Sequence, residues 1–242
     1  MANDIADLPL FAGMEPQLLN GLLASSRVVE HNKGEVIIEQ SQHISRCYVI
    51  LSGWCGISKT NQNGQESIIQ LLTRGDFLPE PDMIQRENSP FNIQALSPVR
   101  LLMTPPTIIN NALQQSPVFA RNMLMAMGRR VQDTRDHVEQ LTLRTAEERV
   151  GRFLLQIRHE VSDHGEEFDL PFSKNIIAAY LGIKPETLSR TLQMFKAQGI
   201  KIDQAHIKLP NQQSLCDFCD STVAQKCSHA NEADCPNPAY PA

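Results

Sequence analysis

The sequence predicts an α+β protein in which an N-terminal antiparallel β-roll is followed by a long helix and a C-terminal helix-turn-helix. Three observations indicate this class: short glycine-punctuated β-branched runs before residue 104, a long proline-free heptad pattern, and a compact helix, turn, helix pattern at 171–200. At 242 residues the chain is longer than a typical single domain, so two domains are expected.

The β-roll is predicted from runs rich in β-branched and aromatic residues, EVIIE, CYVILSG, CGISKT and ESIIQLL, which lie between Gly34, Gly53, Gly64 and Gly75. Short strands joined by tight turns fit this spacing. Asn63-Gly64 is the strongest hairpin signal, because a type I′ turn needs positive φ at both central residues. We expect a small antiparallel roll or barrel over residues 27–103, preceded by a short helix near 16–25.

A long helix is predicted after Ser116-Pro117, because proline suits the first helical turn and no other proline follows for more than fifty residues. Its apolar positions recur at alternating steps of three and four, with one polar member: Leu124, Met127, Val131, Thr134, Val138 and Leu141. This narrow stripe with charged flanks favours a parallel helix pair, and packing on the helix's own domain is the alternative. A second helix is expected over 145–159.

The pattern at 171–200 is a helix-turn-helix. Ser173 is a suitable N-cap, Gly182 allows a sharp turn, and Pro185 suits the start of a second helix. On that helix Leu188, Leu192 and Phe195 share one face, and four polar residues share another: Glu186, Ser189, Arg190 and Gln193. Arginine, glutamate and serine are suited to base edges in the major groove, although a solvated helix face would look similar.

Charge is segregated along the chain. The formal net charge is −5, yet residues 173–208 hold six lysines and arginines against two acids, whereas the segment from 209 onward has a net charge of −3. A basic segment in an acidic chain is typical of a contact with nucleic-acid phosphates, and lysines spread for solubility are the alternative. The candidate phosphate contacts are Lys174, Lys184 and Lys208.

The C-terminal segment LCDFCDSTVAQKCSHANEADC holds four of the six cysteines, Cys216, Cys219, Cys227 and Cys235. The N-terminus has no signal-peptide pattern and no run could cross a membrane, so we expect a cytoplasmic protein in which clustered thiols are ligands or redox groups rather than disulfides. The C-x2-C-x7-C-x7-C spacing favours an iron–sulfur cluster, with [4Fe–4S] preferred. Structural zinc, a thiol switch and no cofactor stay open, and His229 or Asp217 could replace a thiolate.

These segments together resemble the Crp/Fnr family of bacterial transcription regulators over residues 1 to about 210. The resemblance rests on GDF at 75–77, AEERVGRFLL, the helix-turn-helix with ETLSR at 186–190, and a wing formed by KIDQAHIKL. It implies a cyclic-nucleotide-binding-type β-roll (1–105), a dimerisation helix (106–143) and a winged helix-turn-helix (144–210), and the cysteine-rich tail (211–242) lies beyond it. It also implies that Glu186, Ser189 and Arg190 contact a TTGAT-like half-site, that a homodimer binds a palindrome of double-stranded DNA, and that RNA polymerase is a partner.

The sequence departs from the family in two places. The cyclic-AMP members carry a Gly-Glu pair after GDF and an Arg-Ser further on, whereas this chain has Pro79 before Glu80 and Ser89-Pro90-Phe91 in place of the arginine. Proline offers no N–H to a phosphate, so the pattern argues against cyclic AMP binding. The alternative is that Arg86, displaced along the chain, takes the place of the missing arginine. Oxygen-sensing members bind a cluster near the N-terminus, but residues 1–46 hold no cysteine, and Cys47 and Cys55 suit buried strand positions.

Two other functions compete with DNA binding. A nucleotide-binding regulatory module acting on protein partners would need a phosphate cassette, which Pro79 and Ser89-Pro90 interrupt. A DNA-binding regulator with a small-molecule effector in the β-roll stays open as an alternative. An enzyme would need a catalytic motif, and the chain has no glycine-rich phosphate loop, nucleophile elbow or H-E-x-x-H. We therefore expect a regulator, not an enzyme.

Overall fold

The computed structural model describes residues 5–60, 66–78, 88–162, 165–211 and 213–220, together with 223, 224, 227 and 235. The chain divides into two compact units, Met1–Thr134 and Arg135–Ala242, and the division falls within a long helix. The expected α+β architecture is confirmed.

The N-terminal unit contains two four-stranded antiparallel sheets, with strand orders β1-β8-β3-β6 and β2-β7-β4-β5. The strands are β1 (Arg27–His31), β2 (Val36–Ile38), β3 (Cys47–Ser52), β4 (Cys55–Thr60), β5 (Glu66–Leu72), β6 (Phe77–Leu78), β7 (Asn92–Ala95) and β8 (Val99–Thr104). Inward side chains of both sheets form one core, including Ile50, Ile93 and Leu101. The strands match the predicted range, and the Asn63-Gly64 turn lies outside the described residues.

A second core lies between the first sheet and the helices of the same unit. Helices α1 (Pro16–Ala24), α2 (Pro106–Gln115) and the first part of α3 (Pro117–Leu143) contribute to it, with Phe11 stacked on Phe119 at 6.0 Å between ring centroids. Cys47 and Cys55 are fully buried, and burial raises the pKa of each thiol to about 12. Both are therefore structural, as expected.

The segment 106–143, expected as one dimerisation helix, forms two helices. Ser116 has extended backbone angles between them, and its hydroxyl accepts a hydrogen bond of 3.2 Å from the Phe119 N–H. The start of α3 at Pro117 is therefore as predicted, whereas the separation of α2 from it was not foreseen. Its two glutamines and two asparagines weaken the helical pattern, but Ile109 and Ala112 are buried in the second core.

The C-terminal unit contains α4 (Ala146–Ser162), β9 (Glu167–Asp169), α5 (Lys174–Tyr180), α6 (Pro185–Ala197), β10 (Lys201–Asp203), β11 (His206–Lys208) and a 3-10 turn (Cys216–Phe218). Helix α4 begins with a capping box, because the Glu148 N–H donates to the Thr145 hydroxyl and the Thr145 N–H donates to the Glu148 carboxylate at 2.7 Å. The wing hairpin pairs β10 with β11, and β9 adds a third strand.

Among the described residues, no helix combines the length and apolar character that crossing a membrane requires.

Candidate nucleic-acid interface and thiol cluster

The turn between α5 and α6 is fixed by Gly182, whose φ of +61° is a left-handed conformation that glycine adopts without steric cost. The Arg149 guanidinium of α4 donates a 2.8 Å hydrogen bond to the Leu181 carbonyl oxygen at the end of α5. Ser173 occupies the N-cap position of α5, but its hydroxyl makes no capping bond. The two helices of the motif are thus held by the helix that precedes them.

Helix α6 has two chemically distinct faces. Leu188, Leu192 and Phe195 are at most 4% exposed and lie in the core of the unit. The opposite face is exposed and consists of Glu186, Ser189, Arg190 and Gln193. No hydrogen bond or ion pair joins these four side chains to any other residue that the structure describes. An exposed strip of unpaired donors and acceptors on one helix is available to bind base edges in a major groove.

The three candidate phosphate-binding lysines differ in their surroundings. Lys174 and Lys184 are exposed, and Lys184 is the N-cap residue of α6. Lys208 donates to the Glu167 carboxylate across the wing sheet, which raises the pKa of Lys208 and lowers that of Glu167. Lys208 is therefore already paired with a carboxylate of the same sheet, a contact that the sequence did not reveal.

The heptad stripe of α3 is largely exposed. The exposed fractions are 69% for Leu124, 50% for Val131, 53% for Val138 and 39% for Leu141. Met127 is half-buried and packs against the second core of the N-terminal unit. The exposed Thr134 donates its hydroxyl to the Arg130 carbonyl at 2.8 Å. Apolar side chains at this spacing, mostly in solvent, leave a seam that a second helix would cover.

The four tail cysteines share one neighbourhood in the C-terminal unit. Leu215 is fully buried and anchors the 3-10 turn, and the Cys219 N–H donates to the Cys216 carbonyl at 3.0 Å. Burial raises the pKa of Cys219 to about 11, and the nearby Cys227, Asp220, Cys216 and Cys235 add to that rise. The pKa of Cys216 is also raised, first by burial. Cys216 and Cys219 are thus each close enough to the other tail thiols for electrostatic repulsion.

A buried guanidinium lies beside these thiols. Arg158 is 1% exposed, and its Nε donates to the Gly165 carbonyl at 3.0 Å. Burial lowers the Arg158 pKa, and the neighbouring Cys216 and Cys227 act in the opposite direction. The charge of Arg158 therefore favours the thiolate form of Cys216 and opposes the effect of burial on the Cys216 pKa. Among the described residues, which include all four tail cysteines, no three His, Cys, Asp or Glu side chains form a group that could hold a single metal ion.

The turn that carries the first two cysteines is attached to the helix-turn-helix unit by contacts that the sequence did not predict. The Phe218 ring packs edge-on against Phe195 of α6, with 5.6 Å between ring centroids. It also lies on Gly151 of α4, where a Cβ would come within 2.5 Å of the ring. Beyond the turn, Asp220 forms an ion pair with Arg152, whose side chain is 9% exposed.

The fold and the exposed polar face of α6 define a class of protein: a regulator with a cyclic-nucleotide-binding-type β-roll and a DNA-binding helix-turn-helix. Two family models match the chain, the cyclic nucleotide-binding domain over residues 28–116 and the Crp-like helix-turn-helix domain over residues 148–218. Together with the relatives below, they show that the chain belongs to the Crp/Fnr family, whose members are transcription regulators and not enzymes, as the sequence indicated.

Among curated proteins, the chain is 25% identical over 214 residues to the transcriptional activator protein FnrA of Stutzerimonas stutzeri, covering 86% of each chain. It is 24% identical over 194 residues to the fumarate and nitrate reduction regulatory protein of Escherichia coli (strain K12), covering 78% of this chain and 77% of that protein. Among solved structures, FixK2 from Bradyrhizobium japonicum matches with a TM-score of 0.72 at 23% identity, covering 81% of this chain and 98% of that one. The structural match supports the fold.

Proposed function

We propose that this protein is a homodimeric transcription regulator that binds a TTGAT-like palindrome through α6 and is controlled by an iron–sulfur cluster on its C-terminal cysteines. The observation that carries the DNA-binding part is the exposed polar strip of α6. Its side chains have no partner within the described part of the chain, while Leu188, Leu192 and Phe195 fix the helix from behind. Such a regulator acts on RNA polymerase, the partner that the sequence resemblance implied.

Arg190 is assigned the strongest base contact. Its guanidinium is exposed on α6 and suits bidentate donation to guanine O6 and N7, while Glu186 suits cytosine N4 and Ser189 suits either kind of base. Lys174 and Lys184 are assigned to phosphates, which fix the position of the helix without specifying sequence. Lys208 can join them only by leaving Glu167.

The test is a fluorescence-anisotropy titration of a duplex bearing a TTGAT inverted repeat, and of a scrambled duplex, at several salt concentrations. Arg190→Ala should cost about 1 to 3 kcal/mol on the palindrome and relax specificity at one base pair. Lys184→Ala should weaken binding to both duplexes equally and reduce the salt dependence. Equal losses on both duplexes for Arg190→Ala would contradict the assignment.

The homodimer is proposed from the exposed stripe of α3. Leu124, Val131 and Val138 follow one another at intervals of seven residues and are each at least half exposed. A two-fold pair of such helices would cover these side chains and present two copies of α6, which suits two half-sites about one helical turn of DNA apart.

The cluster is proposed from the donor set. Cys216 and Cys219 are positioned by one 3-10 turn, Cys227 and Cys235 lie within electrostatic reach of both, and the buried Arg158 guanidinium lies beside Cys216 and Cys227. Thiolates bind both zinc and iron–sulfur clusters, so these cysteines suit either group chemically. The C-x2-C-x7-C-x7-C spacing favours a four-iron cluster. When bound, it supplies a group sensitive to oxygen and redox state.

Anaerobic purification followed by iron and sulfide assays and a visible spectrum tests the cluster. Cys216→Ser and Cys219→Ser should each lose iron and colour, whereas Cys55→Ala, which changes a buried thiol of the β-roll, should retain both. A colourless protein with stoichiometric zinc would identify a structural zinc site instead. Protein without iron or zinc would exclude a metal cofactor on these thiols.

Cyclic AMP is not proposed as the effector. At the position where the family's cyclic-AMP members carry arginine, Ser89 is 2% exposed and its hydroxyl donates to the Phe91 carbonyl at 2.8 Å. Pro79, Glu80 and Arg86 lie outside the described residues. We expect saturating cyclic AMP to leave the affinity for the palindrome unchanged in the anisotropy assay.

A further inference from the structure

We propose that Phe218 is the contact through which occupation of the tail thiols changes the setting of the recognition helix α6. The proposal rests on the proposed function, and it identifies the contact that connects the tail thiols to α6. Phe218 lies between the first two cysteines of the tail, Cys216 and Cys219, on the 3-10 turn that positions both. Any ligand that holds these thiols therefore also fixes the backbone that carries the Phe218 ring.

The ring contacts the helix-turn-helix unit at two points. Phe195, which is fully buried in α6 on the side away from the polar strip, meets the ring at an angle of 65° between ring planes. Gly151 of α4 provides the second contact, because only a residue without a side chain leaves room for the ring there. A movement of Phe218 therefore acts on the buried side of α6 and on the helix that supports it.

The turn that carries Phe218 is anchored on both sides. Before the turn, Leu215 is fully buried. After it, Asp220 pairs with Arg152 and also accepts a 3.0 Å hydrogen bond from the Val223 N–H. With both ends held, a displacement of Cys216 or Cys219 must be taken up by the short segment between them, which carries the Phe218 ring. An edge-to-face aromatic pair corresponds to about a two- to tenfold change in an equilibrium constant, which is enough to alter DNA affinity measurably.

Gly151→Ala is the sharpest test because it displaces the ring without changing a cysteine or α6. Its Cβ would lie 2.5 Å from two Phe218 ring atoms, so the ring must move. Alanine also has the higher helix propensity, so α4 itself is not weakened. Gly21→Ala is the matched control, since it makes the same change inside α1 where nothing lies within 4 Å of the new Cβ. Phe218→Ala removes the ring and provides a second variant.

Hydrogen exchange of the backbone amides of residues 185–197 is measured on full-length protein in two states, thiols occupied and thiols empty after chelation. Occupation is achieved in one arm with ferrous and ferric iron and sulfide under anaerobic conditions, and in another with zinc alone. In the wild type and Gly21→Ala we expect the exchange of α6 to differ by about two- to tenfold between the states. In Gly151→Ala and Phe218→Ala we expect that difference to vanish while metal content is unchanged.

Two results would overturn the proposal: a wild-type α6 that does not respond to either metal, or variants that keep the wild-type response. A response to zinc in protein that takes up no iron and sulfide would support the route through Phe218 while refuting the iron–sulfur cluster. A response in protein that ignores the palindrome would likewise support the route and refute the DNA assignment.

Discussion

Leu124→Ala should weaken the proposed dimer, and the loss of dimerisation free energy can be worked out from the structure. The substitution removes three carbon groups, about 2.4 kcal/mol of transfer free energy if fully buried. Leu124 is 69% exposed in the single chain, so about 1.7 kcal/mol of this is available for burial on dimerisation. Two-fold symmetry doubles the loss to about 3.4 kcal/mol, which corresponds to a dimer Kd raised about 300-fold.

Sedimentation equilibrium on DNA-free protein measures this Kd directly. The matched control is Leu143→Ala, the same substitution on the same helix. Leu143 is 74% exposed but lies two residues beyond Leu141, about 200° around the helix axis from the stripe. We expect it to leave the Kd almost unchanged. If both variants change the Kd equally, or if neither changes it, the stripe is not the dimer contact and the palindrome loses its structural basis.

The remaining predictions concern the stability of the C-terminal unit. Thr145→Ala breaks the capping box of α4 and should lower the free energy of unfolding by about 1 kcal/mol in urea denaturation. The hydrogen bonds from Thr145 hold the Glu148 pKa below its ordinary value, so the contribution of Glu148 is present above about pH 4.3 and lost as pH falls through the lowered pKa. His137 stacks on Tyr180 at 4.3 Å, and its pKa is lowered by burial and then by Arg152 and Arg149. Since the unfolded chain then binds the proton more tightly, stability should fall as pH drops below about 6.5, and His137→Phe should flatten that dependence. An unaltered pH profile in His137→Phe would contradict the second of these assignments.

The periodic patterns of the sequence predicted the strands of the β-roll and the buried and exposed faces of the helices. Alternating runs gave the strands of the β-roll, and the spacing of Leu188, Leu192 and Phe195 placed the buried face of α6 correctly. The heptad stripe marked side chains that are exposed on the single chain, with Met127 as the half-buried exception. Local signals gave helix starts as well, because proline at the first turn and glycine at a left-handed turn act through backbone geometry alone.

Contacts between segments distant in sequence required the tertiary structure. Lys208 was expected at a phosphate, but strand pairing brings it to Glu167, which is 41 residues away. The contact between Gly151 and Phe218 could not be predicted, because the residues around a helical glycine do not indicate which distant ring packs against it. Helix α2 was not predicted as a separate element, because its polar composition obscures the pattern of its two buried side chains, Ile109 and Ala112.

The sequence by itself therefore determined the α+β class, the helix-turn-helix and the polar strip of α6, because each depends on residues within a few turns of one another. The tertiary structure decided which charges are already paired and which surfaces touch the tail. Those properties depend on which distant backbone segments meet in the folded C-terminal unit, and no local pattern of residue types specifies that pairing.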